Sequence, residues 1–206
     1  MNHLNNIELL SVILGTKREA EKALRAAHGS LFNLIHGRVG KPPQTGLFAG
    51  EGTTSYRASA MQKIEAAREL VTRAALEDMG VRDALTSPDA VRTFLNCRLA
   101  GLEFEVFVVI FLDAQNRVIE AEEMFRGTLT QTSVYPREVV KRALYHNAAA
   151  VILAHNHPSG EPTPSRADEM LTGTLKSALS MVDVSVLDHF IIAGNRTLSF
   201  MERGLI

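Results

Sequence analysis

The sequence predicts an α/β domain with a mixed sheet between helices, preceded by a small all-α module. Up to residue 80, apolar residues recur at spacings of three and four, which is typical of helices. After Gly80, short apolar runs that indicate strands alternate with helical segments. Between residues 37 and 56 the chain is rich in Gly, Pro, Ser and Thr, which predicts a loop. We therefore expect two domains, over residues 1–75 and 84–206.

The first part of the chain is predicted to consist of helices. IELLSVILG, REAEKALRAAHG and SLFNLIHG form three short ones, with Gly29 ending the second and Ser30 capping the third. YRASAMQKIEAARELVTRAALEDM forms a long helix from Tyr56. Its helically spaced apolar residues predict one buried stripe, made of Met61, Ile64, Ala67, Leu70 and Val71.

The second part mixes strands with helices. Pro88 opens a helix that runs to about Leu99, and Pro136 opens another, since proline is well tolerated in a first helical turn. SRADEMLTGTLKSALSMV predicts a third helix. Strands are predicted for EVFVVIFLD, which is apolar enough to be buried on both faces, and for VIEAEEMF, AAVILA, VSVLDHFIIAG and TLSF.

Composition excludes several classes of protein. The 206 residues are 46% hydrophobic and 22% charged, as in ordinary soluble proteins. No apolar run approaches the roughly 20 residues of a membrane helix, and the first residues lack the order of a secretory signal, so we expect a cytoplasmic protein without a membrane partner. A net charge of −1 gives no overall attraction to nucleic acid. With Cys97 as the single cysteine, a metal site would use histidines and carboxylates.

The chemically informative stretch is VILAHNHPSGEPTPSRADEM, residues 151–170. An apolar strand runs into His155 and His157, whose side chains project to the same side of an extended segment. Asp168 lies eleven residues further on, beyond a proline-rich loop. Two imidazoles and one carboxylate can give zinc three protein ligands and leave the fourth position for water, which is the arrangement of a catalytic zinc site.

Simpler interpretations exist for each of these residues. Ser165 and Asp168 have the spacing of a helix cap, in which the serine accepts from a backbone N–H and the acid lies in the favourable first turn. A single histidine is more often a surface or core residue than a ligand. The combination of a buried strand, H-x-H and S-x-x-D is hard to explain by packing alone and favours the metal site.

The string HNHPSGEPTPSRAD resembles the JAMM metal motif of the MPN/JAB superfamily: H-x-H, seven residues, S, two residues, D. Within that superfamily, FRGTLTQTSVYPREVVKRALYHNAAAVILAHNHPSG, LDHFIIAG and ERGLI resemble the bacterial RadC family over about residues 87–206. The resemblance implies a cytidine-deaminase-like fold, with zinc held by His155, His157 and Asp168. It also implies hydrolysis of a peptide or isopeptide bond in an unidentified protein or peptide substrate.

The same resemblance implies two further catalytic residues. A glutamate at the edge of a preceding strand would take a proton from the attacking water and deliver it to the leaving amine, and a serine would help to hold the oxyanion. Ser165 matches the serine. Glu105 is favoured as the glutamate because it leads directly into VFVVIFLD, with Glu103 on the same face as its rival. Asp188 and His189 are expected either to orient a zinc ligand or to make ordinary buried hydrogen bonds.

The helical part resembles the helix-hairpin-helix-like module that precedes the metal domain in RadC proteins. Such modules bind DNA phosphates through backbone N–H groups at a glycine-bearing hairpin. In its place this chain has GEGTTSYRASAM, which keeps two glycines but differs in the residues around them. The alternative function is therefore a DNA-associated repair or recombination protein, whose metal domain is a nuclease or a scaffold.

Overall fold

The computed structural model of the protein describes residues 4–36, 51–81, 84, 88–127 and 134–206, with residues 51–59 and 81 described by their backbone. The chain divides into two compact units, one up to Val71 and one from Thr72 to Ile206. The domain bounds expected from the sequence, 1–75 and 84–206, stay a prediction.

The first unit is built from short capped helices. They are α1 (Asn6–Leu14), α2 (Lys17–Ala26), α3 (Leu31–Ile35) and the first part of α4 (Glu51–Val81). Asn5 and Glu8 form a capping box at α1, while Thr16 and Ser30 cap α2 and α3 through their hydroxyls. Gly15 ends α1 with a φ of 102°, a left-handed conformation that suits glycine.

Helix α4 differs from the sequence-based expectation at two places. The predicted loop extends to residue 56, but residues 51–55 are helical, while residues 37–50 lie outside the described residues. Propensity differences of at most about 1 kcal/mol per residue do not stop a helix that can propagate cooperatively. The predicted buried stripe is also wrong in part: Ile64 is buried, but Leu70 and Val71 are 69% and 49% exposed. Periodicity identifies an apolar face without showing what covers it.

The second unit contains a five-stranded mixed sheet, as predicted. Its elements are α5 (Pro88–Leu99), β1 (Val106–Leu112), β2 (Val118–Arg126), α6 (Pro136–Tyr145), β3 (Ala150–Asn156), α7 (Arg166–Ser180), β4 (Ser185–Ala193) and β5 (Arg196–Ser199). The strand order is β2-β1-β3-β4-β5. Strands β3 and β4 are parallel, and the other neighbouring pairs are antiparallel. The cytidine-deaminase-like fold and the helix-hairpin-helix-like module stay predictions.

Helices cover both faces of this sheet. Strands β1 and β3 are buried along their whole length, as their continuous apolar sequences predict. Alternate residues of both strands, such as Phe107 and Leu153, join one core with residues of α6 and α7. On the other face, Arg92 of α5 lies over the ring of Phe190, which pairs with Ala154 in the sheet. Tight packing on both faces holds the central strands rigidly in register.

The sheet topology brings the start of β1 beside the end of β3. These strands are antiparallel, and Phe107 pairs with His155. Polar residues that precede β1 and follow β3 therefore meet at one edge of the sheet. The parallel neighbour β4 runs past the same edge, with His155 paired to Ile191.

Candidate metal centre

Two histidines lie at the carboxyl end of β3, where the chain leaves the sheet. His155 is the next-to-last residue of the strand, and His157 is the first residue after the strand. The backbone N–H of His157 donates to the carbonyl of Ile192 at 2.9 Å, which keeps this residue extended alongside β4. Both imidazoles consequently project to the same side. Their Nε2 atoms are 2.9 Å apart.

Asp168 reaches the histidines because α7 begins close to the end of β3. The connecting loop turns at Gly160, whose φ is 79° and whose N–H donates to the carbonyl of His157 at 3.0 Å. Ser165 then caps α7 and places Asp168 in its first turn. Oδ1 of Asp168 lies 3.3 Å from Nε2 of His155, and Oδ2 lies 3.5 Å from Nε2 of His157.

The three side chains form one compact cluster. Each contributes one ligand atom, and these atoms all lie within 4.8 Å of one another. His155 is 1% exposed and Asp168 is 9% exposed, while His157 is half-buried. The cluster is therefore open to solvent from the side of His157 and enclosed behind His155. Imidazole nitrogens and a carboxylate oxygen are donors that zinc accepts.

The electrostatics of the cluster favour a positively charged occupant. Burial acts to raise the pKa of Asp168, but contacts with His155 and His157 outweigh it and hold that pKa far below its ordinary range. Contact with Asp168 in turn raises the pKa of His157, although burial opposes this. The carboxylate thus stays charged and attracts positive charge to the position between the ligand atoms.

Glu105 lies next to this cluster, immediately before β1. The side chain of Asn156 holds the backbone on both sides of Glu105, because it accepts from the N–H of Val106 at 2.8 Å and donates to the carbonyl of Phe104 at 2.9 Å. The charge of Glu105 is close enough to contribute to the raised pKa of His157, after the larger effect of Asp168. Glu103 is exposed, two residues earlier in a bend.

Ser165 makes the helix cap considered from its spacing. Its hydroxyl donates to Oδ2 of Asp168 at 2.7 Å and accepts from the backbone N–H of Asp168 at 3.2 Å. The backbone N–H of Ser165 also donates to Oδ2 at 2.7 Å. The serine therefore orients the Asp168 carboxylate. Its catalytic role stays a prediction.

A second layer of polar residues lies behind His155. Nδ1 of His155 is 2.8 Å from Nε2 of His189, and Nδ1 of His189 is 2.7 Å from Oγ1 of Thr172. Burial lowers the pKa of His189 well below its ordinary value. Asp188 points elsewhere and accepts from the Ser199 hydroxyl and from the backbone N–H groups of His189 and Met201. His189 thus contacts the cluster, while Asp188 holds Ser199 and Met201.

Sequence reasoning did not single out Thr172. It lies one helical turn after Asp168, and residues four apart share a helix face, so the spacing from Asp168 was the available signal. Sequence reasoning did not single out Glu122 on β2 either. Its carboxylate accepts from Arg142 on α6, with Nε of Arg142 at 2.7 Å, and lies 2.8 Å from Nε2 of His146.

Comparison with known proteins assigns the family. A model of the RadC-like JAB domain matches residues 85–205. A UPF0758 protein of Dechloromonas aromatica (strain RCB) is 52% identical over 204 residues, covering 98% of this chain and 90% of the relative. A UPF0758 protein of Nitrosomonas eutropha is 50% identical over 203 residues, with the same coverage. One of Thiobacillus denitrificans is 62% identical over 141 residues, covering 68% of this chain and 63% of the relative.

The chain belongs to the RadC-like JAB domain family, and the resemblance inferred from its motifs is confirmed. The name of these relatives carries no activity, so a reaction has to be argued from the site. Among the residues that the structure describes, no helix is long and apolar enough to cross a membrane.

Proposed function

We propose that this protein is a zinc-dependent hydrolase that cleaves a peptide or isopeptide bond. The observation that carries the proposal is the convergence of Nε2 of His155, Nε2 of His157 and a carboxylate oxygen of Asp168 at one edge of the sheet. The substrate would be a protein or peptide. A JAB domain is compatible with such a hydrolase, and the relatives' names neither add to nor oppose it.

The spacing of the donor atoms fits zinc. In a tetrahedral site with bonds of about 2.0–2.2 Å, ligand atoms are separated by about 3.3–3.6 Å. Each histidine has one carboxylate oxygen of Asp168 within this range, Oδ1 at 3.3 Å from His155 and Oδ2 at 3.5 Å from His157, and one of the two oxygens would be the ligand. The two Nε2 atoms, at 2.9 Å, would have to move apart slightly. Three protein ligands with one half-exposed side match a catalytic site rather than a closed structural one.

A zinc ion bound there would supply a Lewis acid that lowers the pKa of a coordinated water toward neutrality. Glu105 would accept a proton from the attacking water as the water oxygen adds to the substrate carbonyl carbon. The same carboxyl group would then donate that proton to the nitrogen of the breaking C–N bond. This assignment depends on Asn156, whose side chain hydrogen-bonds to the backbone on both sides of Glu105.

Ser165 would have two roles in this mechanism. Its hydroxyl orients Asp168 in the resting protein, and by rotating it could donate to the oxyanion that forms on the substrate carbonyl. The second role requires the carboxylate to keep its hydrogen bond from the backbone N–H of Ser165, which is independent of the hydroxyl. Ser165 can therefore cap the helix in the resting protein and donate to the oxyanion later in the same turnover.

The DNA-associated alternative has less support. It depends on the stretch GEGTTSYRASAM, of which residues 51–61 belong to helix α4 and Gly50 lies outside the described residues. A titration of DNA at several salt concentrations decides it, because phosphate contacts must give a negative slope of affinity against salt. Strong, salt-dependent binding of DNA, together with no cleavage of any protein substrate, would favour the alternative over the hydrolase.

The test of the proposal is an unbiased proteolysis screen of a bacterial proteome. The native protein, loaded with zinc, is compared with Glu105→Gln, and new peptide termini and released isopeptide-linked chains are counted by mass spectrometry. Cleavage products that arise with the native protein and are lost with Glu105→Gln support the proposal. The absence of any product that requires the zinc-loaded native protein would overturn it, whereas identical products from both proteins would reassign the glutamate.

A further inference from the structure

A chain of three buried polar side chains leads from helix α7 through β4 to the candidate ligand His155. Thr172, His189 and His155 are 2%, 0% and 1% exposed. We infer that Thr172 and His189 are positioning residues that hold His155 in the tautomer with its proton on Nδ1 and its lone pair on Nε2, facing Asp168. The inference deepens the proposed function and rests on it for the identity of the ion, but the tautomer can be tested without a metal.

The direction of the first hydrogen bond follows from the threonine. Oγ1 of Thr172 lies 2.6 Å from the backbone carbonyl oxygen of Asp168 and donates to it. Without a proton between them, two oxygens at this distance would repel. A hydroxyl has one proton to donate, so the contact of 2.7 Å between Oγ1 and Nδ1 of His189 must be donated by the imidazole. His189 therefore carries a proton on Nδ1.

The second hydrogen bond follows from the burial of His189. A fully buried imidazolium would need a carboxylate partner, and the neighbouring Asp188 directs its carboxylate to Ser199 and to backbone N–H groups. His189 is thus neutral, and its Nε2 has a lone pair. That lone pair accepts from Nδ1–H of His155 at 2.8 Å. In consequence Nε2 of His155 is unprotonated and available to a metal ion.

Aromatic rings hold the two imidazoles in these orientations. Phe200 stacks on His189 with ring centroids 4.7 Å apart, and Phe107 meets the same ring edge-on at 5.7 Å. Phe107 also stacks parallel to His155 at 6.3 Å. A ring flip at His189 would have to displace these fully buried side chains. Packing and hydrogen bonding therefore select the same arrangement.

The other histidine of the cluster is oriented differently. Nδ1 of His157 lies 2.8 Å from the backbone carbonyl of Glu161, which can only accept, so it too is left with Nε2 facing the cluster. A backbone carbonyl cannot be removed by substitution. The hydrogen bonds of His155 are made by side chains, which makes its tautomer open to mutation.

The direct test measures tautomers in the metal-free full-length protein. Long-range ¹H–¹⁵N correlation spectra distinguish Nδ1–H, Nε2–H and doubly protonated imidazoles by their ¹⁵N shifts. We expect a proton on Nδ1 of both His155 and His189, with His189 neutral. A neutral His155 with its proton on Nε2, or a doubly protonated His189, would overturn the inference. This readout does not depend on zinc, so it decides the inference even if the native protein failed to bind zinc and the proposed function fell.

A second test uses matched substitutions and a competition assay for zinc with a chromogenic chelator. Thr172→Val removes the hydroxyl and keeps the shape, and His189→Leu removes the acceptor. Each should weaken zinc binding about 10- to 100-fold, as loss of a ligand's hydrogen-bond partner typically does. Thr172→Ser and His189→Gln restore a hydroxyl and an amide oxygen that can accept, and should return affinity close to the native value.

The control is Thr174→Val on the same helix. Thr174 makes the same kind of bond to a carbonyl one turn earlier, that of Met170 at 2.8 Å, but it is exposed. It should bind zinc like the native protein. Thr172→Val with the affinity of this control, or Thr172→Ser as weak as Thr172→Val, would refute the role of the hydroxyl. If the native protein binds zinc and either of these results is obtained, the proposed function stands and only the inference fails.

Discussion

Ser165 and Asp168 form reciprocal hydrogen bonds at the start of α7. The carboxylate of Asp168 accepts from both the backbone N–H and the hydroxyl of Ser165, and that hydroxyl accepts from the backbone N–H of Asp168. The same carboxylate faces both histidines of the cluster. A helix cap and a candidate metal ligand are thus one side chain, so changes at Ser165 should affect stability and the site together.

Ser165→Ala should lower the free energy of unfolding by about 1 kcal/mol, because an N-cap hydroxyl is lost. Urea unfolding of the metal-free protein measures this. Hydrolysis of a substrate should also fall, by up to the factor of about 100 to 1,000 typical of one oxyanion donor. Ser177→Ala is the control, since Ser177 lies exposed in the same helix and its hydroxyl donates to the carbonyl of Gly173. Equal stability of the two variants would contradict the capping role.

Replacing either histidine of the cluster should abolish stoichiometric zinc. His155→Ala and His157→Ala each leave two protein ligands, too few to hold the ion tightly. Metal content after dialysis against trace zinc, measured by mass spectrometry, is the readout. His28→Asn is the control: His28 has a φ of 54°, a conformation that asparagine tolerates, and it belongs to the other unit. Full zinc content in both alanine variants would show that the ligands are misassigned.

Glu105→Gln should keep zinc and fold but lose about 100- to 10,000-fold in rate, the contribution of a positioned general base. Glu103→Gln is its matched control on the same segment and should be close to native. The two rates are compared on any substrate that the native protein cleaves. An inactive Glu103→Gln beside an active Glu105→Gln would mean that the glutamate is misassigned by two residues.

The ion pair between Glu122 and Arg142 should make the free energy of unfolding depend on pH. The hydrogen bond from Arg142, opposed by burial, holds the pKa of Glu122 below its ordinary 4.5. A folded-state pKa below the unfolded one means that the stabilisation is present above pH 4.5 and is lost as pH falls through the folded pKa. Native protein should therefore exceed Glu122→Gln in unfolding free energy at pH 7, and the difference should shrink toward pH 3.

The control for this pH effect is the same comparison in an Arg142→Gln background. Without the guanidinium, Glu122→Gln should change stability less, and with a weaker dependence on pH. A difference between native protein and Glu122→Gln that stays constant from pH 7 to pH 3 would show that the ion pair does not contribute through charge.

The sheet and the cluster were predictable because their signals are local. A continuous apolar run predicts a buried strand, and the alternation of an extended chain puts His155 and His157 on one side. Likewise, the spacing of Ser165 and Asp168 predicts the cap that brings the carboxylate in. Each of these features depends on residues close together in the sequence.

The features that were missed depend on packing between distant segments. Leu70 and Val71 follow the helical period but remain exposed, because periodicity does not show whether another element covers a face. The contact of Thr172 with His189 joins α7 to β4 across 17 positions. The partner of Glu122 lies 20 positions away on α6. Only the three-dimensional arrangement of the strands and helices brings such residues together.

The most direct measurement of the central claim is zinc-dependent cleavage by the native protein. The protein is stripped with a chelator, reloaded with one equivalent of zinc, and exposed to the same proteome in both states. We predict new peptide termini or released isopeptide-linked chains in the zinc-loaded reaction alone, and their loss with Glu105→Gln. Stoichiometric zinc on His155, His157 and Asp168 without any zinc-dependent cleavage would contradict the hydrolase and leave the DNA-associated scaffold as the better account.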